Sequence, residues 1–452
     1  MSAAKAAGGT IMPDLIVGGV RRYPAYRDSG VEWIGSVPSG WAIKPLKRVA
    51  TLRTQRADER IFAVALENIE SWSGRFIEAD GTYEGEGTAF AAGDILFGKL
   101  RPYLAKAWLA DKSGEAVGDF HVLRCSPSSW PAFFQKVILS GEIISLIDGS
   151  TFGAKMPRAS WDFMGMLPVP VPPPAEQSAI ATFLDRETGK IDALVAEQER
   201  LMALLKEKRQ TVISQAVTKG LDLNAPMKDS DVEWIGTIPQ HWDIKGLSRV
   251  IRNGTSITYG IVQAGPDIEG GIPYIRTSDM NGEVLPETGY LRTSHEIAQA
   301  YERSSVAEGD LVVAIRATVG KTLPVPARLD GANLTQGTAK ISPGKKITMQ
   351  FLYYLLNSVG ASQAFEAISK GATFKEITLD ALRKFRIAVP PLTEQRGITA
   401  FLDIEAGRFD TLIYEANRAI ALLRERRAAL ISAAVTGKID VRGLVATQRE
   451  AA

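Results

Sequence analysis

Apolar residues in two stretches of this chain recur every three or four positions. In the first they stand at Ile191, Leu194, Leu201, Leu205, Val212 and Ala216, and in the second at Phe409, Leu412, Ala419, Leu423, Leu430 and Ala434. That spacing lines one face of a helix and predicts an a/d-like seam. Gln198 and Ala416 are its weak members. Prolines precede each stretch, and Thr-Lys-Gly or Thr-Gly-Lys follows it, which are start and stop signals. Gly189 and Gly407 lie inside the pattern, where glycine costs about 1 kcal/mol relative to alanine, so a break is expected at each. The longer part, 190–217, would span roughly 40 Å.

Elsewhere the pattern shortens to that of strands. Strands are expected at 61–69, 94–98 and 120–125, followed by a helix-bearing segment at 130–147. A later region repeats the order, with strands at 271–275 and 310–315 and a helix at 350–359.

The chain is duplicated. The block PPPAEQ…FLD…ISQAVTKGLD at 172–222 returns at 390–440 with an offset of 218, and DSGVEWIGSVPSGW at 28–41 returns from Asp229 with an offset of 201. Self-similarity at a long, fixed period marks duplicated architecture. Between the copied blocks lie two diverged inserts, about 50–163 and 251–385. Local echoes align them: GDILFGKLRPYLAK at 93–106 answers GDLVVAIRATVGK at 309–321, and GSTFGAKM at 149–156 answers GATFKEI at 371–377. The inserts are therefore expected to share a fold and differ in surface. Trp33 and Trp41 of the short block recur as Trp234 and Trp242, which favours a scaffold role over base stacking.

The 452 residues suffice for about three domains. A single cysteine, Cys125, rules out an internal disulfide and suits a reducing cytoplasm. His121, His241 and His295 are scattered, so no metal site is expected. No apolar run reaches the roughly 18 residues of a membrane span. Residues 1–22 read as a disordered tail. No adenine-methyltransferase N-P-P-Y segment is present and no G-x-G-x-x-G follows a strand. At Gly320-Lys321-Thr322 a Walker A loop would need glycine where Ile315 stands. No catalytic residue is assigned.

Two variable inserts are each preceded by D-S-x-V-E-W-I-G-x-I/V-P and followed by P-P-x-x-E-Q…F-L-D…D-x-L…L-L-x-E-x-R…I-S-x-A-V-T. This arrangement resembles the specificity subunit of type I restriction-modification enzymes. The resemblance covers nearly all of the chain beyond Arg22. It implies an α+β fold: two mixed α/β target recognition domains separated by two long antiparallel coiled-coil-like helices, with an internal pseudo-twofold repeat. The implied divisions are a tail at 1–22, a first recognition domain at 23–165 (with its clip at 28–49), a central helical region at 166–226, a second recognition domain at 227–388 (clip 229–250) and a C-terminal helical region at 389–452. It also implies a cytoplasmic, non-catalytic subunit whose partners are double-stranded DNA, two methyltransferase subunits and restriction subunits. Any S-adenosylmethionine and ATP would be bound by those partners. The alternative is a coiled-coil scaffold whose inserts bind proteins.

Base edges and phosphates favour Arg, Lys, Asn, Gln, Ser and Thr. In the first insert the candidates for DNA contact are Lys99, Arg101, Tyr103, Lys155 and Arg158. In the second they are Arg276, Thr277, Ser278, Arg316, Thr318, Lys321, Gln336 and Lys375. The seam candidates are Ile191, Leu194, Leu201, Leu205, Val212, Phe409, Leu412, Leu423 and Leu430. Regional charge is weak: 12 basic and 15 acidic residues in 50–165, 15 and 13 in 251–388. Electrostatic grip is therefore expected from partner subunits or from clustering on one face.

Overall fold

The computed structural model describes residues 21–57, 62–79, 87–151, 156–371 and 375–446. The chain divides into two compact units, 1–199 with 417–452, and 200–416. Each division point falls inside a long helix, so each unit holds one insert, the first half of one helix and the second half of the other.

Both inserts fold alike. In the first unit a four-stranded antiparallel sheet has the order Ala50–Arg53, Phe120–Cys125, Ile95–Gly98, Ala107–Leu109. In the second the order Thr258–Tyr259, Thr338–Ile341, Leu311–Ala314, Thr322–Pro324 repeats it. Each insert leaves and rejoins the frame at one antiparallel ribbon, Ala42–Pro45 with Pro168–Val171 and Asp243–Gly246 with Arg386–Val389. The expected strand at 61–69 is only Ala63–Val64, and a 3-10 turn, Leu66–Asn68, follows. The reason lies in Asn68, whose carboxamide oxygen accepts from the Ala65 N–H and closes the turn. The helical segments each split in two, at Ser140 and at Ser358. Both hydroxyls donate back to a carbonyl three residues earlier, ending the preceding helix.

The cores show why the frame is copied. In the first unit Trp41, Phe97, Phe133, Phe134, Ile180 and Leu184 are buried together with Ile431, Val435 and Ile439. In the second, Trp242, Phe351, Phe365, Ile398 and Leu402 are buried with Ile213 and Val217. Each such side chain contributes roughly 1.5–3 kcal/mol. Both copied tryptophans, Trp41 and Trp242, are buried.

The long helices run unbroken, Pro174–Lys219 and Leu392–Val435, so the breaks expected at Gly189 and Gly407 do not occur. Buried anchors lie on both sides of each glycine, Leu184 and Ile191 around the first, Leu402 and Phe409 around the second. Packing on both sides outweighs the propensity cost of about 1 kcal/mol.

The seam also differs from expectation. Ile191 and Phe409 are buried, and Leu205, Val212, Leu423 and Leu430 are half-buried. Leu194, Leu201 and Leu412 instead face outward, 53%, 43% and 47% exposed. The inward positions follow a different register, Ile191, Val195, Gln198, Met202, Leu205, Arg209, Val212 and Ala216 on the first helix. On the second they are Phe409, Ile413, Ala416, Ile420, Leu423, Arg427, Leu430 and Ala434. These alternate strictly in fours and threes, the coiled-coil repeat. The weak members Gln198 and Ala416 belong to the seam, and the outward leucines, Leu194 and Leu201 on the first helix and Leu412 on the second, had masked it. Within each unit the helices pair antiparallel. In the first, Arg427 meets Asp192 at 2.8 Å and Arg424 meets Glu199 at 3.0 Å. In the second, Arg209 meets Asp410 at 3.6 Å.

Candidate nucleic-acid interface

The repeated P-P-x-x-E-Q segment builds the frame that carries the interface. Gln177 accepts from the Trp130 N–H at 2.7 Å and donates to the Pro172 carbonyl at 2.8 Å. Gln395 accepts from the Thr348 N–H at 2.8 Å and donates to the Lys346 and Pro390 carbonyls. Both are fully buried. Glu176 accepts from the Tyr23 hydroxyl, and Glu394 pairs with His241 at 2.8 Å. The Asp of F-L-D grips a helix of each insert, Asp185 through Lys136 of Pro131–Ile138 at 2.9 Å and Asp403 through the Tyr354 hydroxyl of Met349–Leu356 at 2.6 Å. The sequence reading assigned these residues no role, although their exact recurrence at an offset of 218 carried the signal.

On that frame, corresponding loops of the two inserts hold many of the candidate contacts. In the first unit the strand Ile95–Gly98 leads into a hairpin whose Arg101 is left-handed, φ 52°. The Arg101 N–H donates to Pro157, and the Ala159 N–H donates to Lys99. In the second unit Leu311–Ala314 leads into a hairpin whose Ala317 is left-handed, φ 60°, and the Ile377 N–H donates to Ile315. The isolated bridges Leu100 to Arg158 and Arg316 to Glu376 complete the match. Backbone geometry is thus copied while the side chains are replaced: Arg101 by Ala317, and Arg158 by Glu376.

The structure brings Lys99, Arg101, Tyr103 and Arg158 together. Asp119 binds both Arg158 nitrogens at 3.0 Å and lies 3.8 Å from Lys99. Arg101 is exposed and its side chain has no partner among the described residues, and Tyr103 is 47% exposed. Beneath them His121 contacts the Ala159 carbonyl at 2.9 Å. Burial, with a smaller contribution from Lys99, holds its pKa below the ordinary value. Lys155 lies outside the described residues.

In the second unit Arg276 is clamped to Asp279 at 2.8 Å and Arg316 to Glu376 at 3.0 Å. Thr277 and Arg316 flank Gly337, where an added Cβ would stand 2.8 Å from the Thr277 methyl. Ser278 and Gln336 are exposed nearby on the same converging loops. Thr318, Lys321 and Lys375 line a separate groove of about 480 Å³ with Asn357, Gln363 and Glu366. Lys375 pairs with Glu366, whereas the Lys321 ammonium has no partner among the described residues. The carboxylates Asp119, Asp279, Glu366 and Glu376 were absent from the sequence reading, since only the fold brings three of them to their cations. Among the described residues no cluster of His, Cys, Asp or Glu could hold a metal ion, and no helix is long and apolar enough to cross a membrane.

Residues 240–412 match the family described as Type I restriction modification DNA specificity domain. The type I restriction enzyme EcoBI specificity subunit of Escherichia coli is 29% identical over 66% of this chain and 63% of its own length. A putative type I restriction enzyme MjaX specificity subunit of Methanocaldococcus jannaschii is 26% identical over 61% and 60%. The chain thus aligns with somewhat under two thirds of these relatives' lengths. A chain from a solved structure concerned with complex assembly and conformational transition of the type I R-M system superimposes with a TM-score of 0.70 at 20% identity, covering 88% of this chain and 98% of that one. With the copied frame and the diverged inserts, these matches make the chain similar to type I restriction enzyme specificity subunits, with a DNA specificity domain of that type at 240–412.

Proposed function

We propose that this chain is the non-catalytic DNA-recognition subunit of a type I restriction-modification enzyme. Each recognition domain reads one half of a bipartite, asymmetric target in double-stranded DNA. The observation that carries this reading is the pair of hairpins with the same left-handed backbone and different side chains, Arg101 and Arg158 against Ala317 and Glu376. Two copies of one scaffold presenting unlike surfaces suit a target whose halves are unlike. The candidate contacts of each insert are proposed as the DNA-facing set, with Arg101 and Lys321 as its unpaired cations among the described residues.

The long helices set the spacer and dock the methyltransferase subunits. Support for docking comes from the outward leucines. Leu194 and Leu422 in the first unit, and Leu201, Leu204, Leu412 and Tyr414 in the second, are 43–66% exposed. Leu194 and Leu412, and Leu204 and Leu422, stand at equivalent places on the frame, and such repeated outward apolar side chains mark a protein-binding face. Restriction subunits, and the ATP and S-adenosylmethionine chemistry, belong to the partners.

The test is a methylation map of DNA from cells expressing the chain with its methyltransferase. It should return two unlike half-sites at fixed spacing, and the purified complex should prefer that sequence over random duplex. Equal binding to all sequences would defeat the proposal in favour of a protein scaffold. Inserting two helical turns after both Ala203 and Ala421 should lengthen the spacer and leave both half-sites intact.

A further inference from the structure

We propose that Trp72 lays its indole against the bases of the half-site read by the first unit, and that Arg427 of the long helix is the residue that positions it. The inference rests on the DNA-reading function proposed above.

Trp72 is left-handed, φ 66°. A bulky residue is a genuine outlier there, and such conformations persist only where the surroundings over-determine them. The surroundings do so. The Trp72 N–H donates to the Ala105 carbonyl at 2.9 Å. Arg427 donates to the Trp72 carbonyl at 3.1 Å while its other nitrogens hold Asp192. The turn is closed further by the Gly74 N–H donating to Glu70, whose carboxylate also takes the Ser73 hydroxyl and Arg75. At Gly74 itself a Cβ would lie 2.1 Å from the Ala107 carbonyl, so the turn is pressed onto the strand below.

The same hydrogen bonds join this turn to the candidate interface. Ala105, which receives the Trp72 N–H, ends the hairpin that carries Arg101 and Tyr103. Of the five left-handed non-glycine residues in the described chain, Trp72, Arg101 and Ala105 fall in this one bonded unit. Trp72 is 43% exposed; in the same unit Trp130 is exposed as well, whereas Trp41 and Trp108 are buried. An exposed indole and phenol beside an unpaired guanidinium suit nucleic acid, where aromatic faces meet bases and cations meet phosphates. The second unit has no counterpart. Its corresponding loop reads Asn281-Gly282-Glu283-Val284, without an aromatic. The device therefore acts on one half-site only.

The experiment uses the full chain assembled with its methyltransferase and duplexes varied in one half-site at a time. Glycine adopts φ 66° without strain, so Trp72→Gly preserves the backbone and should not lower the melting temperature. It should reduce discrimination in one half-site by about 5- to 100-fold, the worth of one read base pair, and leave the other unchanged. Arg427→Lys should cause a smaller loss in that same half-site, and Trp72→Phe should retain most of it. Unchanged discrimination in Trp72→Gly overturns the inference. So does loss of methyltransferase co-purification with DNA preference intact, which would make the ring a protein contact. If the unaltered complex prefers no sequence at all, the DNA-reading function itself fails, and this inference with it.

Discussion

Arg427 and Asp192 meet at 2.8 Å across the antiparallel helices of the first unit, and the duplication places Arg209 and Asp410 in the same relation at 3.6 Å in the second. The first pair is bidentate and its arginine side chain is only 13% exposed, whereas the second is looser. Arg427→Ala leaves a half-buried carboxylate unpaired and should cost about 1–3 kcal/mol. Arg209→Ala should cost less than about 1 kcal/mol. Urea unfolding of the two variants checks the order, and equal losses would refute it.

Gln177 and Gln395 are the strongest structural commitments of the repeated motif. Truncating either to alanine strands a buried N–H and at least one carbonyl, at about 2–4 kcal/mol. The two losses should match within experimental scatter because the bonding is copied. Gln177→Glu should be worse than Gln177→Ala, since it turns a buried carboxylate toward carbonyl oxygens. Denaturation midpoints of the three variants decide this.

The outward leucines separate folding from assembly. Leu194→Asp and Leu412→Asp should change stability by no more than about 0.5 kcal/mol and should sharply reduce methyltransferase co-purification. Ile191→Asp, in the buried seam, should destabilise the chain itself. Normal assembly by both outward variants would remove these leucines from the docking face.

His121 sets a pH dependence. Burial holds its folded pKa below the ordinary value near 6.5. The unfolded chain therefore takes up a proton around pH 6.5 that the folded chain does not. Stability from this residue is fully present above that pH, declines as pH falls through it, and levels off below the folded pKa. Against wild type, His121→Gln should flatten the stability profile as pH falls through the ordinary histidine value near 6.5. An unchanged slope would show that another group controls it.

Much of the architecture was legible without coordinates. Repetition at two offsets, 3-4 spacing and motif order pointed to two like inserts on a duplicated helical frame, because chain order and periodicity are local properties. The same local view misplaced three leucines. Leu194, Leu201 and Leu412 satisfy helical spacing as well as Val195, Met202 and Ile413 do, and only the partner helix determines which set is covered. It also expected breaks at Gly189 and Gly407, because propensity is local while the buried anchors on either side of each glycine are not. The candidate cations could be named from composition, yet five of the seven described ones are held by carboxylates, several far away in sequence. Asp119 stands 39 residues from Arg158, and Glu376 stands 60 from Arg316. By itself the sequence determined the duplicated frame and the family that the chain resembles. The tertiary structure alone decided which side chains are free to meet a partner, because exposure and charge pairing depend on neighbours that only folding supplies.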